Sequence, residues 1–265
     1  MKLSLNGELK DAADARIAPD DRGFTLGDGL FETIAVKRGA PKRLAAHLAR
    51  LRDGAGVLGI PVPYTDATIA ELAASLIGVN AMSEGSLRIT LTRGPGARGI
   101  APPEAPTPTF LITGGGLPPD DPLRLMVAQS TRRNEASPLA RIKNLGSLDN
   151  ILARREATAA GADDAVLLNT QGRVAETTIA NIFCLIGGGL VTPPIAEGAL
   201  PGVMRAEVIR LARAEERPIA ADELARAGEI FVSNALGIRP VVRMNGQDVG
   251  DGAPGLITQL LAVRL

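Results

Sequence analysis

The chain of 265 residues has one cysteine, one histidine, one tyrosine, five phenylalanines and no tryptophan. A lone cysteine, Cys184, excludes an intrachain disulfide and points to a reducing compartment. It lies in the apolar run Ile182–Ile186, where a small buried hydrophobe is its natural role. One cysteine with one histidine gives no cluster able to hold zinc, so no metal is expected. Aromatics make up 2% of the chain, which argues against a surface that stacks on bases. Neither sign of charge prevails, since Lys plus Arg and Asp plus Glu number 29 each, so no net field favours nucleic acid or an anionic bilayer. No apolar run reaches bilayer-spanning length, and the N-terminus has no basic-then-apolar signal segment. The expectation is a soluble cytoplasmic protein with neither nucleic acid nor membrane as partner.

What is present is an orderly alternation of strand and helix patterns. Asn6-Gly7 predicts a hairpin turn between two short strands. Arg22–Gly29 reads as a loop, Leu30–Lys37 as a strand, Ala40–Leu58 and Tyr64–Gly78 as helices, and Ser86–Arg93 and Thr109–Thr113 as strands. Between these last two strands lies a Gly/Pro-rich loop, Gly94–Pro103. Gly114-Gly-Gly-Leu-Pro-Pro119 combines loose and stiff breakers and reads as a linker over 114–120. This gives a smaller N-terminal domain, 1–113, and a larger C-terminal domain, 121–265. In the second, Leu123–Gln129 and Ala165–Leu168 are strands and Leu148–Ala160 is a helix ended by Gly161. Strands are then predicted over Asn181–Ile186, Leu190–Thr192, Glu229–Ser233 and Ile238–Arg243. Val203–Arg213 has helical periodicity, with a short helix at Asp222–Ala227 and a terminal one at Pro254–Val263. The class is α+β (mixed α/β) in two lobes, and a cleft between lobes is the default place for a ligand.

The chemistry concentrates between Glu176 and Arg205. An acid, Glu176, precedes a small-residue cluster and a buried strand. Leu200-Pro201-Gly202 then opens a helix at Val203, and a helix mouth with glycine exposes backbone N–H groups suited to a phosphate. Lys143 stands at a strand-to-helix junction, where an amine can be held in a cleft and tuned to form an imine with an aldehyde; on its own this is a weak signal, since most lysines are solvated surface charges.

The stretch resembles the signature of the class IV aminotransferases, the fold-type IV enzymes that use pyridoxal 5'-phosphate. Glu176, Thr178, Asn181, Ile182, Phe183, Leu190, Thr192, Leu200, Gly202, Val203 and Arg205 match it. Leu148, Asn150, Leu152, Ala153, Arg154 and Glu156 match the segment that follows the family's cofactor lysine. The resemblance implies that Lys143 carries the cofactor and that Glu176 bonds its pyridine nitrogen. It implies a phosphate held by Arg50, in a His47-x-x-Arg-Leu segment, with backbone amides of Val203 and Met204 and contacts from Ser233 and Asn234. His47 reads as structural. Phe31 stands where D-amino-acid transaminases carry tyrosine, and Arg98, with Arg93, is the candidate for a substrate carboxylate. Homodimers are the family habit.

Within the family, Gly27–Thr33, Arg93–Gly99 and Ser233–Val241 look most like 4-amino-4-deoxychorismate lyase, which forms 4-aminobenzoate and pyruvate on the way to folate. Lyases often read Arg-Gly-Tyr where this chain has Arg98-Gly99-Ile100. A transaminase of D-amino or branched-chain amino acids with 2-oxoglutarate is the second reading. A non-catalytic scaffold is the third.

Overall fold

The computed structural model describes residues 1–265. The chain divides into two compact units, Met1–Pro118 with Ile142–Gly146, and Pro119–Arg141 with Ser147–Leu265. No helix is long and apolar enough to cross a membrane.

The first unit contains β1 (Lys2–Leu5), β2 (Glu8–Asp11), α1 (Arg22–Leu26), β3 (Gly29–Lys37), β4 (Ala40–Pro41), α2 (Leu44–Leu58), α3 (Asp66–Val79), β5 (Glu84–Thr92) and β6 (Thr109–Gly115). Its strands form an antiparallel sheet in the order β2-β1-β6-β5-β3-β4. Alternation along β3 and β5 sends Leu30, Ile34, Leu87 and Ile89 into one core with Leu48, Leu51, Ile69 and Leu76 of the two longer helices. Tyr64 meets Phe110 edge-on there, with ring centroids 5.4 Å apart.

Two local differences from the sequence reading have simple causes. The helix expected from Ala40 starts at Leu44, because Ala40 and Pro41 turn back to pair with Lys37 and Val36 and Arg43 takes φ +54°. The 22–29 loop contains a five-residue helix, too short to show periodicity. Asp21 caps it by accepting the Gly23 N–H at 2.8 Å, and Gly27 ends it at φ +69°.

The second unit contains β7 (Leu123–Val127), α4 (Leu148–Ala159), β8 (Asp164–Leu168), β9 (Val174–Thr177), β10 (Asn181–Ile186), β11 (Gly189–Thr192), α5 (Val203–Ala212), β12 (Glu215–Glu216), β13 (Glu229–Asn234), β14 (Gly237–Met244), β15 (Gln247–Asp248) and α6 (Leu256–Arg264). Its sheet runs β12-β11-β10-β13-β14-β7-β8-β9, with β15 on β14. The central strands are covered on both faces, which is why Asn181–Ile186 reads as a continuous apolar run. Ile182, Cys184, Ile230 and Val232 enter one core, while Phe183 and Phe231 enter another with Met204, Val208 and Leu261. The two phenylalanines stack with centroids 5.0 Å apart and planes 5° from parallel. Burial pushes the Cys184 thiol up to about 12, so it is an inert core residue.

The first unit's main segment ends at Pro118 and the second begins at Pro119, and β6 extends through Gly114 and Gly115. Lys143, placed by the sequence in the C-terminal domain, packs instead with the first unit. Its neighbour Ile142 belongs to that unit's apolar core, and Leu145 N–H donates to Gly29 O at 3.0 Å.

Candidate functional site

The Lys143 segment is held as an extra partner for the start of β3. Phe31 N–H donates to Lys143 O at 2.9 Å, and Leu30 bridges to Asn144. Gly29 permits the approach, since a Cβ there would lie 2.5 Å from Leu91 O and 2.8 Å from Leu145 Cδ1. The Lys143 amine stands 4.4 Å from the centroid of the Phe31 ring, and the Arg88 guanidinium stands 3.8 Å from the same centroid. Packing around Arg88 lowers its pKa from the ordinary arginine value. No ion pair or hydrogen bond to another side chain or to the backbone ties this guanidinium, which the sequence reading missed. Alternation gives the signal that finds it: Arg88 and Thr90 share a strand face with Phe31 and Thr33.

Arg50 lies behind this face on α2. Its Nε donates to Glu32 Oε1 at 2.8 Å and its Nη2 to Glu32 Oε2 at 2.6 Å, a bidentate pair. His47 Nδ1 lies 2.6 Å from Glu32 Oε2. Glu32 is fully buried, with 0% exposure. Burial pushes its carboxyl up, but hydrogen bonds from His47 and Arg50 outweigh that and hold it below the usual glutamate range. Glu32 orients both the arginine and the histidine of the His47-x-x-Arg50 segment. Strand alternation offers a signal for it as well, because Leu30, Glu32 and Ile34 occupy the buried face of β3, where an acid needs partners.

Arg93 is committed elsewhere. It donates to both Asp28 oxygens, from Nε at 2.7 Å and from Nη2 at 3.1 Å, and to the carbonyls of Leu58 and Gly59 at 2.7 and 3.0 Å. It is buried scaffold, not the substrate grip that the sequence suggests. Arg98 is exposed and lines a cleft of about 400 Å³ with Asp20, Thr25, Leu26 and Gly96.

In the second unit, Glu176 on β9 is buried. Its Oε2 accepts the Leu200 N–H at 3.0 Å and Asn181 Nδ2 at 3.5 Å, and its Oε1 pairs with Arg133. Arg133 is also absent from the sequence reading; it lies 43 positions upstream of the acid it holds.

Asn181 ties this corner together, since its Nδ2 also donates to Leu200 O at 2.9 Å. At Gly202 the N-cap makes no side-chain hydrogen bond, so the amides of Val203 and Met204 open the helix uncapped. A Cβ on Gly202 would lie 2.1 Å from Asn181 Oδ1, which explains the glycine. Met204 anchors the mouth by its side chain, buried against Phe183 and Phe231. Arg205 is internal, paired with Glu216 and donating to Pro193 O at 2.9 Å.

Ser233 lies opposite Asn181 in the β10/β13 ladder, and its hydroxyl is buried without a hydrogen-bond partner. Asn234 uses its Oδ1 to accept the Leu236 N–H at 2.9 Å, closing the β13/β14 hairpin.

The amino-transferase class IV family model matches residues 29–244. A Methanocaldococcus jannaschii protein, provisionally assigned as a branched-chain-amino-acid aminotransferase, is 34% identical over 98% of this chain and 94% of its own length. The D-alanine aminotransferase of Bacillus licheniformis is 29% identical over the same shares, 98% and 94%. Among solved structures, 4-amino-4-deoxychorismate lyase from Pseudomonas aeruginosa superposes with a TM-score of 0.86 at 33% identity, covering 99% of this chain and 97% of the other.

Proposed function

We propose, from the premise that this chain belongs to the class IV aminotransferase family, that it is a 4-amino-4-deoxychorismate lyase. Enzymes of the family are pyridoxal-phosphate-dependent transaminases or lyases, and this chain is an enzyme of that kind. Bound pyridoxal phosphate supplies an aldehyde for an amine and an electron-withdrawing pyridine ring. The residues present suit that group. The uncapped mouth of α5 and the partnerless Ser233 hydroxyl are donors for phosphate oxygens. Glu176, its orientation fixed by Arg133 and the Leu200 N–H, is the acid for the ring nitrogen. Arg50 is the guanidinium for the phosphate, its plane set by Glu32.

The observation that carries the reading is the Phe31 face. An amine and a guanidinium both contact one ring, so the guanidinium can hold a substrate carboxylate while the amine faces the carbon to be deprotonated. The lyase substrate carries two carboxylates, and Arg88 and Arg98 are two candidate cations for them. In the lyase reaction, the Lys143 amine takes the proton from the ring carbon bearing nitrogen. The C–O bond to the enolpyruvyl group then breaks, the ring becomes aromatic, and the enolpyruvate takes up a proton to leave as pyruvate.

A transaminase is the second reading, favoured by Ile100 in place of a hydroxyl-bearing tyrosine and by the two aminotransferase relatives. The deciding experiment is a paired assay: 4-amino-4-deoxychorismate with 4-aminobenzoate as the readout, then D- or L-amino acids with 2-oxoglutarate and glutamate as the readout. 4-Aminobenzoate is expected. Glutamate alone gives the transaminase, and a protein inert in both arms and colourless with added cofactor is a scaffold.

A homodimer is part of the same reading. Leu148, Ile151 and Leu152 lie exposed at helical spacing on α4, next to exposed Ile179, whose neighbour Thr178 accepts from Asn150 at 2.5 Å. Sedimentation equilibrium at micromolar concentration is expected to return twice the 27.4 kDa chain mass, and a monomer refutes the pairing.

A further inference from the structure

Arg98 sits on a loop with few internal ties. Gly94 and Gly99 take φ +85° and +110°, and the residues around Arg98 are exposed. Yet three successive carbonyls of this loop converge on a single buried side chain. Arg22 donates from Nη1 to Gly99 O at 3.1 Å and Ala101 O at 3.2 Å, and from Nη2 to Ile100 O at 2.9 Å. Its Nε donates to Asp28 Oδ2 at 2.8 Å, the same oxygen that takes Arg93 Nε at 2.7 Å. The Arg22 side chain is 4% exposed, whereas Ile100, whose carbonyl it holds, is 87% exposed. The backbone adds two bonds from the same neighbourhood, Arg22 N–H to Gly94 O at 2.9 Å and Gly96 N–H to Asp20 O at 3.2 Å. Gly96 makes room for the arginine, since a Cβ there would lie 2.9 Å from Arg22 Cδ.

This arrangement is a clamp. A charged fork anchored on Asp28 fixes residues 99–101 with three directed bonds, in a segment that has no strand partner. Its far side is the cleft that Arg98 lines with Asp20, Thr25 and Leu26. We propose that Arg22 is a positioning residue: it touches no substrate, but by holding residues 99–101 it sets where Arg98 presents its guanidinium, and so governs affinity for the substrate carboxylate. The proposal rests on the reading of Arg98 as a carboxylate contact.

Two variants of the full-length, cofactor-loaded enzyme test it. Arg22→Lys keeps a charge for Asp28 but gives up the planar fork. Gly96→Ala pushes on the arginine from the loop side and leaves the buried charges intact, so it serves if Arg22→Lys does not fold. The first readout is trypsin cleavage after Arg98, taken without substrate. The second is KM and kcat for 4-amino-4-deoxychorismate and for D-alanine with 2-oxoglutarate. Both variants are expected to be cut about tenfold faster than wild type, and to raise KM by about tenfold with kcat within about twofold, the pattern of lost binding that leaves the chemical step alone. Unchanged cleavage in both variants overturns the clamp. Faster cleavage with unmoved KM, or a fall in kcat alone, overturns the link to Arg98. Because cleavage is read without substrate, it is scored even if neither activity is found, which separates failure of the clamp from failure of the functional reading.

Discussion

Lys143→Ala is expected to remove turnover while leaving the fold in place. The two effects separate because the backbone, not the amine, holds the segment. Phe31 N–H and Leu145 N–H make the bonds to β3, and Ile142 supplies the buried apolar anchor. None of these involves the lysine side chain, which is half-buried against the Phe31 ring. The substitution therefore forfeits a cation–π contact of about 0.5–2 kcal/mol, a modest change for a domain of this size. The chemical loss is far larger. A positioned proton acceptor contributes on the order of 10²–10⁴-fold, and the amine proposed to anchor the cofactor goes with it. Wild-type protein is expected to be yellow and to gain a borohydride-stable lysine adduct by mass spectrometry. The variant is expected to show neither, with kcat at least about 10³-fold lower and near-wild-type thermal unfolding. Turnover at the wild-type rate sinks the assignment.

Glu32→Ala is expected to be the most destabilising single change in the first unit. Glu32 is wholly buried and holds two groups at once, Arg50 through two bonds and His47 through one. Removing it takes two bonds from the largely buried Arg50 guanidinium and one from His47, and breaking a buried pair from one side costs about 3–5 kcal/mol. Urea unfolding is the direct measure; a change below about 1 kcal/mol shows that the cluster is dispensable.

The same carboxylate gives a pH dependence with a definite sign. Its pKa in the folded protein lies below that of the unfolded chain, so its stabilisation is complete above the ordinary glutamate range and is lost as pH falls through the depressed value. Glu135 acts in the same direction. Hydrogen bonds from Thr170 and Gln171 hold it at about 2, so its share disappears between about 4.5 and 2. The acid limb of the unfolding profile is therefore expected to shift for Glu32 variants, while the profile near neutrality keeps its shape.

Much of this molecule is legible residue by residue because its signals are local. Asn6-Gly7, the alternation along β3 and β5, the doubly covered run Asn181–Ile186 and the periodicity from Val203 each fall within a residue or two of the observed elements. What escapes is non-local. Arg133 and Glu176 are 43 positions apart and Arg93 and Asp28 are 65 apart, so no spacing rule links them. Arg93 reads as a substrate contact because it flanks a glycine loop; only the folded chain reveals the carbonyls of Leu58 and Gly59 that absorb it. Arg88 and Glu32 are intermediate cases. Each is on a legible strand, and asking which face it occupies marks it as out of place.

The detour of residues 142–146 into the first unit limits how the protein can be dissected. A fragment ending at Pro118 would lack Ile142 and leave the Leu30 side of the core with a hole. It would also bare the hydrogen-bonding edge of Gly29–Phe31, an invitation to pair with a second copy in an amyloid-like fashion. A circular permutant cut between Arg141 and Ser147 would free one end of the same strap and slacken the amine it carries. New termini are better placed in the Gly187–Gly188 turn, where an added side chain would meet nothing within 4 Å and no part of the proposed chemistry is tethered.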